Sequence, residues 1–320
     1  MLHARWYLPA RRSPRTGAVA ALVAANVIWG TTFVATKPML DRVPPLTLAS
    51  GRFAIAVLVL LLVLARAGRS PLLNRTTALM GFVGILIVYA CQNLGLALTD
   101  AANGALIHGG IPVFTMLIAA PVLGERLSGG RLAGLAVSLI GVTMVVMRGS
   151  EEQLGLSAIG DGLVLLSAIG LAAYLVLGRK AFAGESSIEL VGGVAVFGLL
   201  FLLPVSGLEL VTKGMERPTT WDLLGLLYLG AVASGLAFML WAHGLRHMEA
   251  GQAATFTNLN PLVGVIAAAL VLNEAISWIQ LAGGLLILGG VCLVARPIPV
   301  ASFVEAVATP DSPEGELVSA

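Results

Sequence analysis

The chain has 320 residues, of which 58% are hydrophobic and 11% charged, with a formal net charge of +2 and a mean hydropathy of +0.93. About a quarter of a soluble domain's residues are charged, so this chain cannot cover itself against water. Lipid suits it, and that excludes a soluble enzyme or a soluble nucleic-acid-binding domain.

Residues 1–16 carry Arg5, Arg11, Arg12 and Arg15 with two prolines, which reads as a cytoplasmic arm. The apolar run behind them is too long for a signal peptide and has no clear cleavage site. A bilayer core about 30 Å thick takes roughly 20 apolar residues per helix. Ten such runs follow: 17–38, 46–66, 76–98, 101–123, 131–147, 158–178, 188–208, 221–245, 250–273 and 277–295. The short connections hold the expected breakers, Pro44-Pro45, Ser70-Pro71, Gly129-Gly130, Gly149-Ser150 and Pro218. Residues 296–320, acidic with Pro and Ser, read as a disordered cytoplasmic tail. Cys91 and Cys292 fall inside apolar runs and read as small buried hydrophobes.

The stretch from Ile111 to Glu125, IPVFTMLIAAPVLGE, recurs as NPLVGVIAAALVLNE from Asn260 to Glu274. Adding 149 also carries Gly95 to Gly244, Asp100 to Glu249, Ser128 to Ser277, Gly134 to Gly283 and Gly141 to Gly290. Over 89–146 the register gives 18 identities in 58 pairs, and the Pro, Glu, Ser and Gly matches carry the information. The chain therefore reads as a first repeat at 17–147, a linker at 148–157 and a second repeat at 158–295. Five spans per repeat force the second copy to enter the membrane upside down. The expected fold is an all-α membrane protein with ten transmembrane helices as two inverted five-helix repeats. With the N-terminus inside, the inside segments hold 13 Lys and Arg and the outside segments 5, with Arg52 in a span. That bias puts both termini in the cytoplasm.

The first span, NVIWGTTFVATKPML, the following Pro44-Pro45, the second span LASGRFAIAVLVLL with Arg52, and the twin Pro…Glu segments resemble the EamA family of the drug/metabolite transporter superfamily. The resemblance covers two units, about 20–147 and 158–295. It implies ten spans, cytoplasmic termini and export or exchange of small metabolites, amino acids or drugs. One departure is that the sixth span, GLAAYLVLGRK, lacks the Trp-Gly of the first.

Polar groups at lipid depth are costly and should face a cavity or one another. Trp29 lies too deep for an interfacial belt, and its N–H needs a partner. It lines a pathway or packs between helices. Tyr174 is a pathway residue or an interfacial tyrosine. Tyr89 and Asn93 share a helix face, and Phe238 and Trp241 stand among the repeat counterparts of that span. Together they make a polar and an aromatic wall, or they bond helix to helix. His108 precedes Pro112 by four residues, and a proline frees the carbonyl four residues earlier. The same spacing recurs at Thr257 before Pro261, beside Asn258 and Asn260. The two breaks form a binding site or are structural kinks. His108 offers proton coupling or a hydrogen-bonded packing role.

No carboxylate is expected at mid-span. Glu125 and Glu274 end spans four and nine, where they would cap the next helix or pair with an arginine such as Arg126. Arg52 snorkels to the headgroups or holds an anionic group. Lys37 reads as an interfacial anchor.

The sum is a secondary transporter of the inner membrane, exporting by alternating access around a cavity walled by spans 1, 3, 4, 6, 8 and 9. An exchanger of anionic or phosphorylated metabolites is the alternative, and it would need two or more cavity cations. The expected partners are a small-molecule substrate and the lipid bilayer. Protons and a homodimer stay open. No cofactor, metal, nucleic acid or enzymatic chemistry is expected.

Overall fold

The computed structural model describes residues 14–123, 129–146, 154–181, 187–247 and 255–294, and every regular element among them is helical. Glu125, Arg126 and Glu249, most of the arm and linker, and the tail from 295 lie outside the described residues. Seven helices are long and apolar enough to cross a membrane, and three shorter apolar ones lie at Leu132–Val145, Phe256–Val271 and Trp278–Leu293. Large apolar side chains stand exposed along them, among them Leu58, Leu208, Leu270 and Leu285. In water such a surface would aggregate; in lipid it is the outer wall. Trp221 and Trp278 are exposed near the starts of their helices, the level at which an amphipathic ring anchors to an interface.

Helix α1 (Pro14–Gly30) is followed after Thr31 by α2 (Thr32–Thr36) and a 3-10 turn, Lys37–Asp41. Helix α3 (Pro45–Arg66) starts on Pro45, whose missing N–H costs nothing at a first turn. The third long helix comprises α4 (Arg75–Gly81), a π-helical stretch at Phe82–Ile87 and α5 (Val88–Leu96). Helices α6 (Ala101–Gly109) and α7 (Ile111–Leu123) are one rod broken at Gly110. Then come α8 (Gly129–Val146), α9 (Leu154–Ala181) and α10 (Ser187–Lys213). The next long helix is α11 (Thr220–Leu227), a π-helical stretch at Tyr228–Leu236, and α12 (Ala237–His247). A 3-10 turn at Thr255–Asn258 leads into α13 (Leu259–Val271), and α14 (Trp278–Val294) closes the described chain.

The duplicated register is visible in local structure. Adding 149 to the first π-helical stretch lands inside the second. The break before Pro112 corresponds to the 3-10 turn before Pro261, and Gly109 packs directly on the Pro261 ring. The main packing partners are α3 with α10, α8 with α14, α6 with α13, α5 with α9, and α1 with α12. Each pair joins one half of the chain to the other. The set is unchanged when every helix is exchanged for its counterpart, in order, in the other half.

Glycines set the closest of these approaches. A Cβ on Gly141 would lie 2.5 Å from Gly283 O, and one on Gly283 would lie 2.9 Å from Gly141 O. Gly290 sits on Gly134 and Ser138 in the same way. The four glycines matched in the repeat register thus meet pairwise across α8 and α14, where any side chain would hold the backbones apart. Two expectations change. Tyr174 is buried, which an interfacial tyrosine would not be: it sits in a core with Phe53, Met80, Ile85 and Leu190, against which Tyr89 packs, and its ring lies on Gly84. Cys292 is exposed and Cys91 half-buried; an apolar run in a membrane has no inside face to imply burial.

Candidate functional site

The seam between α1, α3, α5 and the α11–α12 helix gathers a cluster of polar and aromatic groups. The Trp29 indole Nε1 donates to the Ala233 carbonyl at 2.9 Å. Its ring meets Phe238 edge-on at 5.2 Å and Trp241 at 5.6 Å between centroids. Such pairs are worth about 0.5–1.5 kcal/mol each beyond burial. Two residues on, Thr31 Oγ1 and the Tyr228 hydroxyl are 2.5 Å apart, and Tyr228 also lies 3.1 Å from the Ile28 carbonyl, to which it donates. Trp29, Phe238 and Trp241 thus form one ring cluster that joins the two halves.

Arg52 is the charged member of this seam. It is 3% exposed. Its Nε donates to Ser234 Oγ at 2.7 Å, and its guanidinium lies 4.6 Å from the Tyr89 ring centroid. Tyr89 in turn meets Phe53 edge-on at 4.6 Å. At about 1.5 Å per residue, Ser234 lies roughly 18 Å beyond Asp222 along its helix. The side chain thus turns toward the interior of the bundle and does not snorkel. Ser234 follows Ala233, so the Arg52 and Trp29 groups meet on consecutive residues of one π-helical stretch. Such stretches often mark functional sites.

The other predicted residues lie elsewhere or act differently. Asn93 is buried, donates to the Pro45 carbonyl at 3.0 Å and leaves its own Oδ1 without a partner among the described residues. It ties α5 to α3 and does not continue the wall. His108 Nε2 is 3.2 Å from Ser167 Oγ, and its ring meets Phe33 edge-on at 5.0 Å. The break after His108 is a tight turn in which Gly110 N–H bonds the Ile107 carbonyl at 3.0 Å. Asn258 is half-buried in its 3-10 turn. Asn260 has a buried Oδ1 without a partner among the described residues, and its backbone packs on Gly30.

One end of the bundle is closed by polar links that the sequence did not reveal. Glu274 does not cap the helix that follows it. Ser277 and Gln280 do that for α14. The Glu274 carboxylate accepts from Ala101 N and Ala102 N at 2.9 Å each, capping α6 in the other half. Asp161, near the start of the sixth span, is a buried carboxylate, 1% exposed. It accepts from Thr99 Oγ1 at 2.5 Å and from Asn103 Nδ2 at 3.2 Å, and Gln280 donates to Asn103 at 2.9 Å. Glu209 caps α3 through Leu46 N and Thr47 N. Arg42 and Asp222 form a two-point ion pair at 2.9 Å, and that carboxylate holds Arg42 above its ordinary range. Lys37 donates to the Leu96 and Thr99 carbonyls at 2.9 and 2.7 Å, an anchor to protein and not to headgroups. All but the Lys37 link cross between halves.

Glu274→Ala should destabilise the protein by about 2 kcal/mol, since a cap is worth about 0.5–2 kcal/mol and an anion at a helix start adds a few tenths. Thermal unfolding in detergent checks this, and Glu274→Gln should recover part of the loss because its carbonyl oxygen still accepts.

Both halves, residues 16–147 and 158–296, match the EamA-like transporter family. The chain is 30% identical over 292 residues to a probable amino-acid metabolite efflux pump of Salmonella typhimurium, covering 87% of this chain and 94% of that protein. It is 28% identical to a probable terminal-alkyne amino-acid exporter of Streptantibioticus cattleyicolor, covering 87% and 93%. It is 26% identical to the uncharacterized transporter YetK of Bacillus subtilis, covering 86% of each. A solved crystal structure superposes with a TM-score of 0.63 over 88% of this chain and 98% of that one, at 22% identity, a likeness of fold alone.

Proposed function

The chain belongs to the EamA-like transporter family, and on that premise we propose that it exports small, amino-acid-like metabolites across the cytoplasmic membrane as a secondary transporter. It is a transporter and not an enzyme, as its family and relatives are. The seven long helices and the three shorter ones serve as ten spans in two inverted repeats, with both termini in the cytoplasm. The pairing of every main helix contact across the halves, and its invariance under exchange of halves, supports a two-fold axis in the membrane plane. Two copies related in that way can swap conformations, and that exchange is alternating access. In this reading the end closed by Glu274, Asp161 and the Arg42–Asp222 pair is the outer gate. It opens by separating those links.

The observation that carries the reading is the Trp29 cluster. Its indole, bonded to Ala233 and ringed by Phe238 and Trp241, joins the two halves at a level where a helix pair needs no aromatic belt. Exchange of phosphorylated metabolites has less support. A dianion calls for two or more cations, whereas the contacts of Arg52 are a hydroxyl and aromatic rings.

Everted membrane vesicles test the reading with a panel of amino acids and amphipathic drugs. Saturable uptake of one class, abolished by a transport-dead variant, is expected. Absence of uptake of every compound by vesicles containing folded protein would sink it. A reporter fused after Ala320 should stay cytoplasmic.

A further inference from the structure

We infer that Arg52 is the docking point for a single carboxylate, and that the substrates are monocarboxylates with an aromatic or apolar body whose amino group is dispensable. This rests on the transport reading above and names its substrate class.

The argument begins with an imbalance of charge. A guanidinium at lipid depth is costly unless it is paired. Arg52 is buried, yet among the described residues no carboxylate meets it. Its contacts are Ser234 Oγ on Nε, the Tyr89 ring at 4.6 Å and the Phe53 ring at 5.9 Å. Its titratable neighbours are the phenols of Tyr89 and Tyr228. The fold holds this geometry firmly. Gly230 packs on Ile55 and on the Arg52 carbonyl, and that close approach sets Ser234 one turn on against the side chain. Ser234 occupies the Nε edge. The two terminal nitrogens form the other edge, a planar fork that matches the two oxygens of a carboxylate. One cation balances one negative charge.

The rest of the ligand follows from what is adjacent. Ala233 precedes Ser234 and accepts the Trp29 indole, so the wall of Trp29, Phe238 and Trp241 begins one residue away. A ligand held at Arg52 therefore lays its body on aromatic rings. Among the described residues no acidic side chain is hydrogen-bonded to any of these groups, so an ammonium would meet ring faces and no countercharge. Glycine and other small polar amino acids would leave the rings unused.

Binding to the purified protein tests this with three probes that share a phenyl ring: 3-phenylpropionate, L-phenylalanine and phenethylamine. Thermal stabilisation or intrinsic tryptophan fluorescence reads the affinity. Both carboxylates should bind within about tenfold of one another, and phenethylamine should not compete. Removing one partner of a buried, hydrogen-bonded charge pair costs about 2–5 kcal/mol, and each 1.4 kcal/mol is tenfold. Arg52→Gln should therefore weaken both carboxylates by at least about 30-fold, with Arg52→Lys intermediate. Equal binding of phenethylamine, unchanged carboxylate binding by folded Arg52→Gln, or binding of neither carboxylate by folded wild-type protein would each overturn the assignment. Vesicle export of a neutral or cationic compound by Arg52→Gln would overturn it too, while leaving the transporter reading intact.

Discussion

Trp29→Ala should lower kcat/KM for export by about 30-fold or more. The indole supplies two ring contacts and one hydrogen bond across the halves. An aromatic anchor of this kind typically costs about 2 kcal/mol or more on truncation, and 1.4 kcal/mol is tenfold. Part of the loss would be stability, because removing a large half-buried ring leaves its neighbours without contacts. Trp29→Phe separates the two effects. It keeps most of the ring surface and loses only the donor to Ala233, which is worth about 1 kcal/mol. If the cluster touches substrate, Trp29→Ala raises KM strongly and Trp29→Phe mildly. If it is packing alone, both variants lose folded protein and the surviving molecules keep the wild-type KM.

The second large effect is on folding. Gly290→Leu should destabilise the protein by about 3 kcal/mol or more. A Cβ at that position would lie 2.6 Å from Ser138 N and 2.7 Å from Ser138 Cβ, besides meeting Gly134 O. Overpacking against side chains costs about 1–3 kcal/mol, and here two of the three obstacles are backbone, which cannot rotate away. Gly289→Leu is the internal control. It is the next residue of α14, with open space around its Cβ position, and it should be nearly neutral. Unfolding midpoints for the two variants in one detergent decide the matter. Equal midpoints would mean that α8 and α14 do not cross at these glycines.

Gly134, Gly141, Gly283 and Gly290 also show what was legible in the sequence. Glycine matches at a fixed offset survive in an apolar chain because two backbones meet there, and the structure brings those residues together in pairs. Trp29, Phe238 and Trp241 were legible for a similar reason: a tryptophan far from any interface needs a partner for its N–H. The direction of Arg52 was not. At its position in α3, an arginine reaches outward to headgroups or inward to Ser234 with equal ease, and only the close approach of Gly230 decides. Asp161 was missed because its partners Thr99 and Asn103 lie about 60 residues away in the other half, and no spacing along the chain joins them to it. Glu274 was misassigned for lack of the same information. Its sequence neighbour α14 was already capped by Ser277 and Gln280, which released the carboxylate to α6. The burial of Tyr174 was not legible because the glycine that receives its ring, Gly84, lies in another helix.

Under alternating access the seam beside Trp29 and Arg52 opens in turn to the two sides of the membrane. A single cysteine at that seam tests it most directly. Phe238→Cys, in a background with Cys91 and Cys292 replaced by alanine and transport retained, is exposed to a membrane-impermeant thiol reagent in right-side-out and in everted vesicles. Labelling from both sides is expected, with substrate slowing it on each. Labelling from neither side, in protein that still transports, would contradict the account and move the pathway away from this seam.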